Sequence, residues 1–391
     1  MITVKHRGIG GLIETLSDGL TGAARSQRVA DRFTNEIAPK LNGPQVDEKV
    51  KKAFFDSFSI REAFVACTGD FPRFGNVQEA ALKHTDFTVV ILGGLSALVQ
   101  AAYNTTEGLI GDKLVTPYNS SLISDIFPVF DTPTGMADVA EGATYGVVDI
   151  ADRYVGDTTF SKRGAAVLVT EEAVLFDQTG QLISRCNNIG KQAALDREKY
   201  IIKGIQDLSA AYYCYYPAGS RAALYDTAQV KTSNALATYV DIEDAALYLS
   251  MTTAVDPVTT PDVIVDAALS PYTVLVPKAL EFTALHIKNT LTVQTNPGVT
   301  SGVSPVMNNP VSIEVLSSPI LDVDSASTWY FAGAGGFKRQ FIEKIHFPMQ
   351  AVQIPPAESN AIMADTLGGV RVRYKSKVFA LDNKFVVKNT A

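Results

Sequence analysis

The sequence of 391 residues predicts an α+β fold, because helical and strand patterns occur in different parts of the chain. Between residues 177 and 211, apolar side chains recur every three or four positions, which predicts one helix of roughly 45 Å. In residues 370–378, basic side chains alternate with apolar ones, which predicts a strand with a charged face and a buried face. Residues 272–290 predict a short strand, a break at Pro277 and a helix.

The first 60 residues predict a helical arm with little apolar surface of its own. Apolar positions recur at loose helical spacing from Leu16 to Ile37, and Pro39 ends the pattern. Such a helix buries too little surface to be stable alone, so we expect the arm to lie on another surface.

Residues 87–103, FTVVILGGLSALVQAAY, carry no charge and raise the question of a membrane span. A spanning helix needs about 20 strongly apolar residues. This run is shorter and includes glycine, serine, threonine and glutamine, so we expect a buried core element and no membrane association.

Residues 130–177 predict a long, exposed two-stranded β excursion. Stretches that favour strands occur at 145–148 and 166–169. The part from 131 to 161 contains six acids and one base, Arg153. A lone two-stranded hairpin is marginal in water, so we expect the excursion to lie against a neighbouring chain.

The long helix is expected to begin near Asp177, a suitable N-cap, and to lie across a sheet because its apolar stripe is one-sided. Residues 240–254 predict a further helix. Residues 289–313 contain no charge and three prolines. An irregular segment of this length tends to be functional, so we expect a loop that meets other chains.

The stretch YFAGAGGFKRQF, residues 330–341, resembles a phosphate-binding loop at first sight. A Walker-type loop needs a hydroxyl residue directly after its lysine, and Lys338 is followed by Arg339. The dinucleotide pattern begins with Gly333 and Gly335 but has Lys338 in place of its third glycine. We therefore predict a tight turn between two strands and keep a nucleotide site as the alternative.

No catalytic, cofactor or metal site is predicted. The histidines and cysteines are isolated in the sequence, at His6, His84, His286, His346, Cys67, Cys186 and Cys214. Their spacing fits neither a zinc site nor a disulfide framework, and no serine-nucleophile motif is present. The net charge of −7 argues against a dedicated nucleic-acid binder.

Charged residues outside any catalytic pattern are candidates for contacts between subunits. Lys162 and Arg163 follow the acidic stretch and form either a solvated corner or a salt bridge to an acidic arm of a neighbour. The basic face of residues 371–377 is expected to be solvated or paired with a neighbour's acids, in preference to contacting phosphates. The candidate contact residues are Asp138, Glu141, Asp149, Asp152, Asp157, Lys162, Arg163, Lys338 and Arg339.

Four stretches in a fixed order carry a resemblance to a known family. They are VAEGATYG (139–146), KRGAAVLVTEEAVLFDQTG (162–180), IGKQAALDREKYIIKGI (189–205) and TWYFAGAGGFKRQFIEKIHFP (328–348). In this order the sequence resembles the major capsid proteins of tailed bacteriophages, which share the Hong Kong 97-like shell fold. The resemblance covers roughly residues 60–391.

The resemblance implies a division of the chain into the parts of that fold. These are an N-terminal arm (1–60), the first part of a peripheral domain (61–127), an extended β-loop (128–172), a spine helix with more of the peripheral domain (173–230), an axial domain (231–340) and a return to the peripheral domain (341–391).

The resemblance also implies a function and a set of partners. The chain would be a major capsid protein, without enzyme activity or cofactor, that self-assembles as hexamers and pentamers into an icosahedral shell enclosing double-stranded DNA. It would be made in the host cytoplasm and reside in the virion, with portal and scaffold proteins as partners and a decoration protein as a further candidate. The packaged DNA would be contacted without sequence specificity. The alternatives are an encapsulin-type bacterial nanocompartment shell and a nucleotide-dependent enzyme that uses Gly333–Lys338.

Overall fold

A computed structural model describes the chain over the residues 59–61, 64, 72–73, 77, 85–122, 126–130, 139–142, 144, 152–155, 160–207, 213–215, 221–225, 229–251, 270–290, 312–354 and 366–391. Three of the expectations above fall outside these residues. They concern the N-terminal arm up to residue 58, the strand at 145–148 and the uncharged loop from 291 to 311.

The described helices are distributed along the whole of this part of the chain. They are α1 (Thr85–Asn104), α2 (Gly111–Leu114), α3 (Glu171–Leu175), α4 (Thr179–Gln206), α5 (Tyr239–Met251), α6 (Glu281–Thr290), α7 (Pro319–Asp322) and α8 (Gly336–Gln340), with a 3₁₀ turn at Lys278–Leu280.

The described strands are mostly short before residue 313, and two long ones follow near the end. They are β1 (Thr116–Asn119), β2 (Phe127–Phe130), β3 (Asp152–Val155), β4 (Ser161–Thr170), β5 (Tyr213–Tyr215), β6 (Arg221–Ala223), β7 (Val230–Lys231), β8 (Tyr272–Pro277), β9 (Ile313–Ser318), β10 (Trp329–Ala332), β11 (Phe341–Ile354), β12 (Thr366–Ala380) and β13 (Val386–Asn389).

Hydrogen bonds arrange the described strands in three sheets. Their orders are β1–β11–β12–β4, β7–β13–β10–β8–β9 and β2–β3–β5–β6. β1 runs parallel to β11 and β8 runs parallel to β9, whereas β10 is antiparallel to both β13 and β8. Mixed sheets with separate helices confirm the α+β class.

The chain forms two compact units. Among the described residues, the first unit contains those up to Glu107 together with Lys162–Asp196 and Phe347–Lys375. The second unit contains Gly108–Ser161, Arg197–His346 and Ser376–Ala391. α4, β11 and β12 therefore each contribute residues to both units.

The core of the first unit contains apolar residues of α1, α4, β4 and β12. Ile91, Leu95 and Val99 of α1 are buried, at spacings of four residues that place them on one side of the helix. The expectation that residues 87–103 form a buried core element is confirmed. No described helix combines the length and the apolar character needed to cross a membrane.

The second unit buries both faces of its β7–β13–β10–β8–β9 sheet. Trp329 and Phe331 of β10 lie in one apolar cluster, and Tyr330 and Ala332 lie in another. Successive side chains of a strand point to opposite faces, so these two clusters lie on opposite sides of the sheet. The indole Nε1 of Trp329 donates a hydrogen bond of 2.8 Å to the carbonyl of Asn234, which satisfies its buried polar group.

Several predicted elements are confirmed. The helix predicted at 240–254 is α5, and the strand and helix predicted at 272–290 are β8 and α6. The long helix is α4, with 28 residues. In β12, Val370, Val372 and Tyr374 are buried while Arg371 is exposed, which confirms the period-two pattern.

The predicted N-cap of the long helix was wrong. Asp177 lies two residues before Thr179, where α4 begins, and has a φ of 49°. Its carboxylate accepts hydrogen bonds from the hydroxyls of Thr179 (2.5 Å) and Ser59 (3.2 Å) instead of capping backbone amides. The carbonyl of Gln178 accepts the first bonds of the helix, from the amides of Gln181 and Leu182.

The region predicted as a two-stranded excursion contributes strands to two sheets. Residues 166–169 lie in β4, whose neighbour in the sheet is β12. Asp152–Val155 forms β3, which lies between β2 and β5. Both strands gain hydrogen bonds with distant parts of the sequence, which a reading of local pattern does not reveal.

Candidate assembly surfaces

Lys344 holds the two ends of the acidic stretch, which we define as the acidic segment, residues 131–159. Its side chain is fully buried, and its Nζ lies 4.4 Å from the ring centroid of Phe160 and 5.9 Å from that of Phe127. Phe127 begins β2 and Phe160 directly precedes β4, so the two rings lie on either side of the segment in the sequence. A cation near aromatic faces is attracted by their quadrupoles. Lys344 therefore ties both ends of the segment to β11.

A buried ion pair connects α4 with β11 in the second unit. Arg197 Nη2 lies 2.6 Å from Glu343 Oε2, and Arg197 Nε lies 3.2 Å from the same carboxylate. The side chain of Glu343 is only 2% exposed. Arg197 Nη2 also contacts Asp112 Oδ1 at 2.8 Å, on a side chain that is 78% exposed. The fork of the guanidinium thus satisfies a carboxylate that could not remain buried without a partner.

Glu198, the next residue on α4, closes the start of α2. Its carboxylate accepts hydrogen bonds of 2.9 Å from the amides of Ile110 and Gly111. A Cβ at position 111 would lie 2.6 Å from Glu198 Oε2, so glycine lets the carboxylate approach the backbone. Burial raises the pKa of Glu198, and the two amide hydrogen bonds act against this shift.

In the first unit, Asp196 of α4 joins β4 to β12. Its Oδ2 lies 3.3 Å from Arg163 Nη1 and accepts a 2.6 Å hydrogen bond from the hydroxyl of Tyr374. Burial and this hydrogen bond raise the pKa of Tyr374. Arg163 and Tyr374 therefore both point toward α4, and Arg163 has an acidic partner within its own chain.

The glycine-rich stretch forms a turn, but not directly between two strands. Gly335 has a φ of +66° and precedes α8, and the amide of Gly336 donates a 2.8 Å hydrogen bond to the carbonyl of Gly333. The predicted turn is confirmed. The prediction that it joins two strands was incomplete, because the five-residue helix α8 separates it from β11 and the flanking strands lie in different sheets.

The basic pair of this stretch lies on α8. Lys338 and Arg339 are both exposed, and the guanidinium of Arg339 lies 5.7 Å from the ring centroid of Phe385. The carbonyl of Lys338 accepts a 2.7 Å hydrogen bond from the hydroxyl of Thr116. The short helix thus presents two charges to solvent from a backbone that is fixed on both sides.

The remaining predicted contact residues are only partly described. Glu141 is exposed at a turn next to Gly142, whose φ is +83°. Asp152 begins β3 opposite Phe130 of β2, and Lys162 is exposed in β4. Asp138, Asp149 and Asp157 lie outside the described residues. Within the described ranges, no group of three acids, histidines or cysteines could hold a metal ion.

Sequence reasoning missed the buried charges of β11 and α4. Arg197 and Glu343 are 146 residues apart, and Ile110 and Glu198 are 88 apart, so only the tertiary structure reveals these pairs. One signal was available, because FIEKIHF places Glu343 and Lys344 inside an otherwise apolar strand. Charged residues in such positions are rarely buried without partners.

Residues 155–389 match a model of the phage capsid protein family. This match covers more than half of the chain. The chain belongs to that family. Family membership confirms the resemblance to phage capsid proteins, agrees with the Hong Kong 97-like shell fold that it implied, and indicates a structural protein of the viral particle.

Solved structures of particle shells are similar to this capsid-family chain at low identity. A virus-like particle from Pyrococcus furiosus is 8% identical, covering 75% of this chain and 97% of its own, with a TM-score of 0.40. The capsid of a native GTA particle is 12% identical, covering 71% and 88%, with a TM-score of 0.43. The capsid of cyanophage P-SCSP1u is 13% identical, covering 72% and 88%, with a TM-score of 0.43. Comparison with curated protein sequences finds no match.

Proposed function

We propose that this chain is a major capsid protein that self-assembles as hexamers and pentamers into an icosahedral shell enclosing double-stranded DNA. The observation that carries the proposal is the match to the phage capsid protein family over residues 155–389. The protein acts as a building block, and it works through surfaces that bind other copies of itself.

The proposed roles of the parts follow the division given above. The arm at 1–60 and the extended β-loop at 128–172 each lie on an adjacent subunit, and residues 231–340 close around the capsomer axis. The buried Lys344 between Phe160 and Phe127 supports this role for the loop, because it fixes the direction in which the chain leaves the second unit. The exposed Lys338 and Arg339 of α8 contact a neighbouring subunit. Portal and scaffold proteins are the proposed further partners, and packaged DNA is contacted without sequence specificity.

Expression of the full chain, followed by size-exclusion chromatography and negative-stain electron microscopy, tests this proposal. Closed shells or capsomers, with or without a co-expressed scaffold protein, are the expected products. A chain that stays monomeric in every condition, including with scaffold, would refute it. Shells that enclose protein cargo and no DNA would favour a nanocompartment. Binding of ATP or NAD that is lost in Gly335→Val would favour the nucleotide-dependent enzyme.

A further inference from the structure

The outward side of the β4–β12 pair in the first unit carries only basic charge. We define the basic face as Lys162 of β4 with Arg371, Arg373 and Lys375 of β12. Lys162 and Arg371 are exposed, and Arg373 and Lys375 are half-buried. The other outward positions of the described β4 residues are Gly164, Ala166 and Leu168, which carry no charge.

Asp196 fixes which side of the sheet this is. Because Arg163 and Tyr374 both reach Asp196 of α4, their side chains lie on the helix side of the two strands. Successive side chains of a strand alternate between faces, so Lys162 and Lys375 point to the side away from α4. Arg163 is thereby separated from Lys162 and does not belong to the basic face.

Close contacts between the strands give their register. A Cβ on Gly164 would lie within 3 Å of the carbonyl of Val372, and one on Gly369 would lie equally close to the carbonyl of Val167. Numbers rise on β4 as they fall on β12, so the strands are antiparallel. This register places Lys162 beside the part of β12 that carries Lys375, and two like charges side by side repel each other.

The basic face is held in place but incompletely neutralised. The guanidinium of Arg373 lies 5.3 Å from the ring centroid of Phe347, and its Nη2 lies 3.4 Å from Gln350 Oε1. Lys162 and Arg371 form no ion pair with any residue that the structure describes. A cluster of this kind is stabilised when a complementary charge covers it.

We propose that the basic face is the docking site for the acidic segment, residues 131–159, of a second copy of this chain. This inference rests on the proposed function and names the surface that receives the extended loop. The segment carries six acids against one base, and Glu141 is exposed at its turn. Every copy carries one basic face and one acidic segment, so a repeated heterologous contact pairs all of them. The net charge of −7 disfavours the approach of a DNA polyanion to the same chain.

Charge reversal on both partners tests this assignment. The basic-face variant is Arg371→Glu with Lys375→Glu, and the acidic-segment variant is Asp138→Lys with Glu141→Lys. Arg185→Glu with Lys191→Glu is the matched control, because both residues are exposed on α4 and it changes the charge equally. Circular dichroism of the unassembled chains checks folding. The readouts are shell yield by size-exclusion chromatography and electron microscopy, and the DNA content of the shells.

We expect each docking variant alone to lower the shell yield at least about tenfold at 0.1 M salt, with the control unchanged. The loss should shrink at 1 M salt, where the Debye length falls from about 10 Å to about 3 Å. Co-expression of the two variants should restore shells, because each then supplies the charge that the other lacks.

Three outcomes would overturn the docking assignment. One is rescue only when both reversals are in a single chain, which would place the contact within one subunit. Another is a basic-face variant that forms shells at wild-type yield but loses DNA, which would assign the face to DNA. The third is equal loss in the α4 control. A wild-type chain that forms no assembly would instead refute the proposed function, and the docking assignment with it.

Discussion

The Nζ of Lys344 lies 4.4 Å from the ring centroid of Phe160, inside the protein and without exposure to solvent. The two residues are 184 positions apart, and the contact joins the end of the acidic segment to β11. The desolvation of an ammonium is offset only if its surroundings stabilise the charge, and the aromatic rings of Phe160 and Phe127 provide part of that stabilisation.

Replacing Lys344 separates the contribution of its volume from that of its charge. Lys344→Ala should lower the free energy of unfolding by about 2–4 kcal/mol, because it leaves a cavity beside the two rings. Lys344→Met keeps the volume and removes the buried charge, so we expect a change below about 1.5 kcal/mol. Urea unfolding followed by circular dichroism measures both. If the methionine variant is as unstable as the alanine variant, the charge itself holds the rings.

The pair of Arg197 and Glu343 should be far more sensitive to single than to double replacement. Arg197→Met leaves Glu343 buried and unpaired, which should lower the free energy of unfolding by about 3–5 kcal/mol. The double variant Arg197→Met with Glu343→Leu removes both charges and should recover most of that loss. A double-mutant cycle by urea unfolding gives the coupling energy.

Asp112→Asn is the control for this pair. The Asp112 side chain is 78% exposed, so its contact with Arg197 should contribute less than about 1 kcal/mol. A loss as large as that of Arg197→Met would show that Asp112, and not Glu343, is the main partner.

The two glycines before α8 should respond to alanine for different reasons. Gly335 has open space around it but a φ of +66°, so Gly335→Ala should cost about 1–2 kcal/mol through backbone strain alone. A Cβ on Gly336 would lie 2.8 Å from the carbonyl of Phe385, so Gly336→Ala should cost about 1–3 kcal/mol through crowding.

Asparagine distinguishes the two positions, because it tolerates a positive φ but is larger than alanine. Gly335→Asn should have a higher melting temperature than Gly335→Ala, whereas Gly336→Asn should have a lower one than Gly336→Ala. Equal behaviour at both positions would contradict this explanation.

Glu198 should make stability fall as the pH rises. Its folded-state pKa is raised by burial above the ordinary value of 4.5, so between these two values the folded state keeps a proton that the unfolded state has lost. The stabilising contribution is complete below about 4.5 and is lost as the pH passes the raised value. The stability of the wild type should therefore decline relative to Glu198→Gln between pH 4 and pH 8, as measured by urea unfolding. The opposite slope would show that the amides of Ile110 and Gly111 hold the ionised form more strongly than burial disfavours it.

The sequence predicted the elements whose pattern is local. The stripe of α4, the alternation in β12 and the strand and helix around Pro277 follow from periodicity and from proline chemistry, which need no knowledge of the rest of the chain. The order of these elements also carried the resemblance to phage capsid proteins, which the family match over residues 155–389 confirmed.

Local pattern was insufficient at the ends of elements and at turns. Asp177 had the chemistry of an N-cap, but its carboxylate binds the hydroxyls of Ser59 and Thr179, and Ser59 lies 118 residues earlier. The glycines at 333–336 indicated a turn. The helix α8 that follows owes its position to Phe385 and to Thr116, which contact it from distant parts of the sequence.

The sequence by itself determined which residues are charged, which faces of α4 and β12 are apolar, and that the acids cluster between residues 131 and 159. The tertiary structure decided how those charges are used. It buried Arg197 against Glu343, turned Arg163 inward to Asp196, and left Lys162 on the same side of the sheet as Arg371, because strand pairing, and not sequence spacing, determines which side chains share a face.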